Sequence, residues 1–171
     1  MSHALNACMR KWGYFTLLFA LLYAGPIASQ DLTFGFAATM GGELISESES
    51  IALDASGNIY PAGSFMGSIS KPIDFDPGPG ELLISSASST ETDAFVHKLD
   101  ADGNLVWAKT LGNFGNDYGR NLAVDNSGNV YIAGSFEQTV DFDPGAGTNS
   151  IPSGGSWGAY VLKLYANGDF V

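Results

Sequence analysis

The chain has 171 residues, with 18 acidic against 7 basic side chains, a formal net charge of −11 and 45% hydrophobic residues. So acidic a protein repels nucleic acid and anionic lipid headgroups and attracts cations or basic partners, and so apolar a chain is no disordered polymer. Its 22 glycines point to many short elements joined by tight turns, and its one cysteine, Cys8, leaves no disulfide to be made within it.

Residues 1–30 read as a secretory signal peptide. Arg10 and Lys11 make a short basic region, residues 14–24 are apolar apart from Thr16, and Gly25-Pro26 ends the run ahead of the small residues Ala28 and Ser29. A membrane anchor is the rival reading, but an apolar core of about 14 residues falls short of the ~20 that a bilayer-spanning helix needs, so no membrane span is expected after cleavage. Export removes both of those basic residues and Cys8, leaving five basic against eighteen acidic side chains, a net −13. Cys8 precedes the apolar run, so it is not the acylated cysteine of a lipoprotein.

Residues 31–49 are expected to hold one strand and a linker. FGFAATMGG at 34–42 aligns with LVWAKTLGN at 105–113, a spacing of 71, and so reads as the last-type strand of a repeating unit. IALDASGNIYPAGSF at 51–65 returns as LAVDNSGNVYIAGSF at 122–136, ten of fifteen positions identical at the same spacing. Self-similarity on this scale means a repeat architecture. The first full unit is placed at 50–112. It has strands at 51–54 and 58–65, a long loop carrying DFDPGPG at 74–80, a third strand AFVHKL at 94–99 and a fourth at 105–111. Asp54-Ala-Ser-Gly57-Asn58 and Asp100-Ala-Asp-Gly103-Asn104 are tight turns, where glycine supplies a positive φ and the leading aspartate accepts backbone N–H groups. Pro61 stands inside the second strand, where it lacks a ladder donor, so a bulge or an unpaired position is expected there. The second unit, 113–171, repeats the order with DFDPGAG at 141–147 and a strand at 159–164, and it stops inside its last strand, as a fragment would.

Four antiparallel strands recurring every 65–71 residues, with both faces of the third strand largely apolar, describe the blades of a β-propeller: an all-β fold, here an incomplete propeller of about two blades behind a signal peptide. D-x-S-G-N-[IV]-Y-x-A-G-S-F, the DFDPG loop and A-[FY]-V-x-K-L resemble the bacterial β-propeller repeat of the SBBP type over nearly all of the mature chain. That resemblance implies an exported protein with further blades.

The candidate chemistry lies in the paired carboxylates Asp74 with Asp76 and Asp141 with Asp143. Residues two apart in an extended segment point to the same side, so each pair could offer hard oxygens to one cation, calcium being the candidate cofactor. Calcium takes six to eight oxygens, so backbone carbonyls, water or Glu81 would have to contribute; the plain alternative is that these aspartates cap Asp-Pro-Gly turns. The Gly-Asn turns fail the EF-hand pattern, with glycine at the fourth position and no glutamate at the twelfth. His97 aligns with Leu162 and reads as a packed strand histidine, and Trp107 as a core residue. Trp157, in the polar stretch 153–158, is a candidate stacking platform for sugar, against the plainer reading that it tucks over a neighbouring blade. No His-Ser-Asp set, nucleophilic cysteine or phosphate loop is present after the leader. The sequence therefore predicts a non-catalytic exported module binding extracellular protein or carbohydrate. Its alternatives are part of a polysaccharide hydrolase or lyase, and a structural spacer in a larger surface protein.

Overall fold

The computed structural model describes residues 35–171, and the leader expected at 1–30 lies outside the described residues. Every regular element among them is a β-strand, and none is a helix long and apolar enough to cross a membrane. β1 (Ser46–Leu53), β2 (Ile59–Phe65), β5 (Asp93–Leu99) and β6 (Leu105–Leu111) form one antiparallel meander in that order. β7 (Tyr118–Val124), β8 (Val130–Phe136) and β11 (Gly158–Leu164) form a second, three-stranded sheet laid out in the same way. β7, β8 and β11 thus take the places of β1, β2 and β5, and only the isolated bridge of Phe170 to Leu164 marks the start of the β6 position.

Two short ribbons complete the description. β3 (Ile73–Asp74) pairs β4 (Leu83–Ile84), and β9 (Thr139–Asp141) pairs β10 (Ser150–Pro152), where the sequence suggested plain loops. The cause is the alternation of the DFDPG stretch itself. Ile73 and Phe75, like Val140 and Phe142, are buried, which forces the intervening aspartates outward in strand geometry.

The sheets pack face to face. Tyr60, Ala62, Ala94 and Val96 of the first meet Val130, Ile132, Phe136 and Leu162 of the second in one cluster. The opposite face of the first sheet carries its own cluster of Phe65, Ile73, Phe75 and Phe95, whose rings meet edge to face at 5.1–6.4 Å. Such contacts add about 0.5–1.5 kcal/mol each to simple burial.

β1 and β7 each carry a register break, between Ser48 and Ser50 and between Gly119 and Asn121. The glycine of A-G-S-F explains itself here. A side chain on Gly63 or Gly134 would strike the backbone carbonyl of Glu47 or Tyr118 in the irregular strand alongside. The residues skipped, Glu49 and Arg120, stand 71 apart and pair with each other across the sheets at 2.7 Å.

Two expectations need correction. Residues 35–40 form no strand: the segment crosses over the first sheet, and its pairing is the single bridge of the next residue, Gly41, to Asp74 of β3. β1 begins at Ser46, ahead of both the expected strand at 51 and the unit boundary at 50, since β2 is long enough to pair with it as far as Phe65. Pro61 gives the unpaired position that was expected, without a bulge: the ladder to β5 skips Tyr60 and Pro61 but keeps its register on both sides, from Ile59 with Leu99 to Ala62 with Val96. In the second sheet the corresponding Tyr131 and Ile132 pair with Lys163 and Leu162.

Candidate functional site

The DFDPG loops place their aspartates together, and the bonds those aspartates make are the loops' own. Asp74 Oδ1 accepts the N–H groups of Asp76 and Leu82 at 3.0 and 2.9 Å, and Asp76 Oδ1 accepts that of Gly78 at 2.7 Å. Asp141 and Asp143 repeat the pattern with Asp143, Asn149 and Gly145 at 3.0, 2.7 and 2.8 Å. Two short carboxylates thus hold an eight-residue excursion by local side chain-to-backbone bonds. Among the described residues no group of three or more His, Cys, Asp or Glu side chains is arranged to hold a metal ion. Capping accounts for each Oδ1.

At the other end of the sheets the Gly-Asn turns form a second set. Asp54 Oδ1 accepts from Ser56 and Asn58, while its Oδ2 accepts from the Asn58 amide at 2.7 Å and the Tyr60 hydroxyl at 3.0 Å. Burial works against the Asp54 charge, but these donors outweigh it and hold its carboxyl below the ordinary pKa. Asp100 and Asp125 are also held low, chiefly by the side-chain amides of Asn104 and Asn129. Gly57, Gly103 and Gly128 take φ of 81°, 88° and 78°. The fourth turn departs: Tyr165 replaces the aspartate, and only the backbone bonds of Gly168 and Asp169 to Tyr165 remain at that position.

Sequence reasoning missed a group of acids between the sheets. Asp93 and Asp117 are 5% and 1% exposed. Asp93 Oδ2 accepts from Ala87 at 2.9 Å, and its Oδ1 is buried without a partner. Asp117 takes the N–H groups of Asn113 and Glu137, each at 3.2 Å. Burial pushes the Asp93 carboxyl up to about 7 and the Asp117 carboxyl up to about 6, with neighbouring acids adding to both. Shifted carboxylates mark candidate active sites. Neither of these lines the cavity beside β11 or the cavity over His97. The signal available in the sequence was modest: an aspartate opening a largely apolar strand.

Trp157 is 49% exposed and stacks on Tyr118, with ring centroids 5.9 Å apart and 27° between the planes. The Arg120 guanidinium lies 4.2 Å from the Tyr118 ring. Trp107 is only half-buried. It edges against Tyr60, and its indole N–H donates to the Ala166 carbonyl at 3.2 Å, tying β6 to the last turn of the second unit. His97 is 1% exposed, packed as the sequence suggested, and neither ring nitrogen has a partner among the described residues. Outside β11, where the first sheet has β6, a cavity of about 570 Å³ opens over Phe142, Tyr160 and Leu162.

Comparison with known proteins agrees with this architecture. Residues 106–135, from β6 through most of β8, match the SBBP beta-propeller repeat model. The chain is 31% identical over 124 residues, 69% of its length, to an uncharacterized WD repeat-containing protein of Acanthamoeba polyphaga mimivirus. It is 30% identical over 149 residues, 87% of its length, to the regulatory protein FlaEY of Caulobacter vibrioides. It spans 9% and 13% of those two proteins. Residues 106–135, on β6, β7 and most of β8, thus carry a beta-propeller repeat of the SBBP type.

Proposed function

We propose that the chain is an exported, non-catalytic propeller-repeat module that binds protein or glycan outside the cytoplasm. Export rests on the layout of residues 1–30. Binding rests on one observation: Trp157 and Tyr118 form a stacked aromatic pair, half open to solvent, on the edge of a rigid sheet. A flat ring so placed offers a sugar or a partner side chain a large apolar contact at little entropic cost. A non-catalytic role is favoured because the carboxylates with displaced pKa values are packed between the sheets, away from those cavities.

The full chain on a glycan panel tests this. Retention is expected on at least one glycan, weakened about tenfold or more by Trp157→Ala, the loss typical of a contact hot spot. No retention on any glycan, or retention indifferent to the substitution, overturns glycan binding and leaves the spacer reading. Turnover of a polysaccharide would instead establish the hydrolase. In the same preparations, millimolar calcium added after chelation decides the cofactor question: a higher melting temperature assigns the loop carboxylates a cation, and an unchanged one assigns them to capping alone.

A further inference from the structure

The outer face of the first sheet holds a histidine with nothing to bond. Segment 35–42 crosses that face, and Phe36 and Met40 from it, Ile51 from β1, Pro61 from β2 and His97 and Leu99 from β5 enclose a cavity of about 390 Å³. His97 is buried to 1% exposure, its two ring nitrogens without a partner among the described residues, and Phe75 and Phe95 pack edge-on against the imidazole at 6.2 and 5.9 Å. Burial pushes its pKa down to about 4, so near neutrality the ring is uncharged, with one nitrogen donating and the other accepting.

The repeat shows that the fold does not require this group. The second unit has Leu162 at the corresponding position, buried in the cluster between the sheets, and Ile132 where the first unit has Pro61. Pro61 and His97 face each other at the gap in the β2–β5 ladder. The two departures from the repeat therefore coincide in space, on the wall of the same cavity. A buried polar group left unpaired is costly and calls for an explanation.

The remaining lining restricts what could supply that partner. Ser48 is the other polar residue of the wall, and no carboxylate, lysine or arginine contributes to it. A charged ligand would lose its hydration with no counter-charge to replace it. The volume is at the small end of the roughly 300–1,000 Å³ typical of ligand pockets. We propose that this cavity binds a small neutral ring compound carrying a hydroxyl group, a phenol or cyclic alcohol, whose ring fills the apolar space while its hydroxyl bonds the His97 imidazole. A hydroxyl both donates and accepts, so it satisfies either nitrogen.

Titration calorimetry and imidazole ¹⁵N shifts of the full chain, with 4-ethylphenol and ethylbenzene as probes, test the assignment. The phenol is expected to bind and shift the His97 nitrogens, with the hydrocarbon at least tenfold weaker, because a site built around a hydrogen bond rejects a ligand that lacks it. His97→Leu, the residue the repeat itself uses, is expected to erase that preference. Binding of neither probe, equal binding of both, or a preference that survives His97→Leu overturns the proposal. Should that variant fail to fold, Ala38→Trp on the exposed crossing segment blocks the cavity from outside, and phenol binding that persists in it is equally fatal.

Discussion

Val96 and Val161 occupy the same place in two copies of one repeat, yet the first is fully buried and the second is 76% exposed. The chain around them is nearly identical, AFVHKL against AYVLKL, so the difference does not come from local sequence. It comes from what lies on top. The Val96 face of the first sheet is covered by the second sheet, while the Val161 face of the second is open, with a shallow cavity of about 190 Å³ over Tyr131, Ala133 and Val161. The neighbouring residues show the reverse side of the same rule. Leu162 packs in the cluster between the sheets, whereas His97 faces away from it, onto the cavity roofed by 35–42. A repeat of this kind carries two apolar faces, and each is satisfied only by a neighbour.

The largest test of that contrast is a pair of truncations. Phe136 belongs to the cluster joining the sheets and Phe65 to the outer cluster. Each replacement by alanine should cost about 3–5 kcal/mol in denaturant unfolding. Phe136→Ala is expected to cost more, because its cavity opens where both sheets meet. A greater loss at Phe65 would make the outer cluster the principal core.

His97 and Leu162 differ next. The folded pKa of His97 lies near 4, below the 6.5 of the free side chain. Its stabilising contribution is therefore present above about pH 6.5 and lost as pH falls through 4. His97→Leu should gain on the native protein by about 3 kcal/mol between those limits, read from urea midpoints across pH. A gap that stays constant with pH means that the imidazole titrates alike in the folded and unfolded chains, its pKa unshifted by burial.

Asp93 behaves oppositely. Its folded pKa, near 7, stands above the ordinary 3.8, so its contribution is complete below 3.8 and lost as pH rises through 7. Asp93→Asn should match the native protein at pH 4 and exceed it on the order of 2 kcal/mol at pH 8. Equal loss at both pH values would point to the bond with Ala87 and away from the charge.

The smallest effect belongs to the turns. Tyr165→Asp combined with Asp169→Asn gives the last turn the aspartate and asparagine of the three Gly-Asn turns, and thermal melts should show a gain of about 0.5–1 kcal/mol. No gain would mean that the backbone bonds alone hold such turns.

Much of the fold was readable in advance because its signals are local and repeated. Glycine with an aspartate three residues earlier specifies a turn whatever surrounds it, and alternation in AFVHKL specifies a two-sided strand. The path of 35–42 was not readable in that way. FGFAATMGG has the pattern of β6, but a strand needs an edge to pair with, and the pattern does not say whether one is within reach. The candidate site divides similarly. The loop aspartates were visible as a motif, while the Asp93 and Asp117 pair, brought together from β5 and the start of β7, became visible only once the sheets were packed.

The sequence by itself determined the repeat, the turns and the alternation of faces, because each depends on residues within a few positions of one another. Which face is dry, which valine meets solvent and whether a histidine sits beside a cavity were decided by the tertiary structure. Burial is a property of two surfaces in contact, and the second surface lies dozens of residues away along the chain.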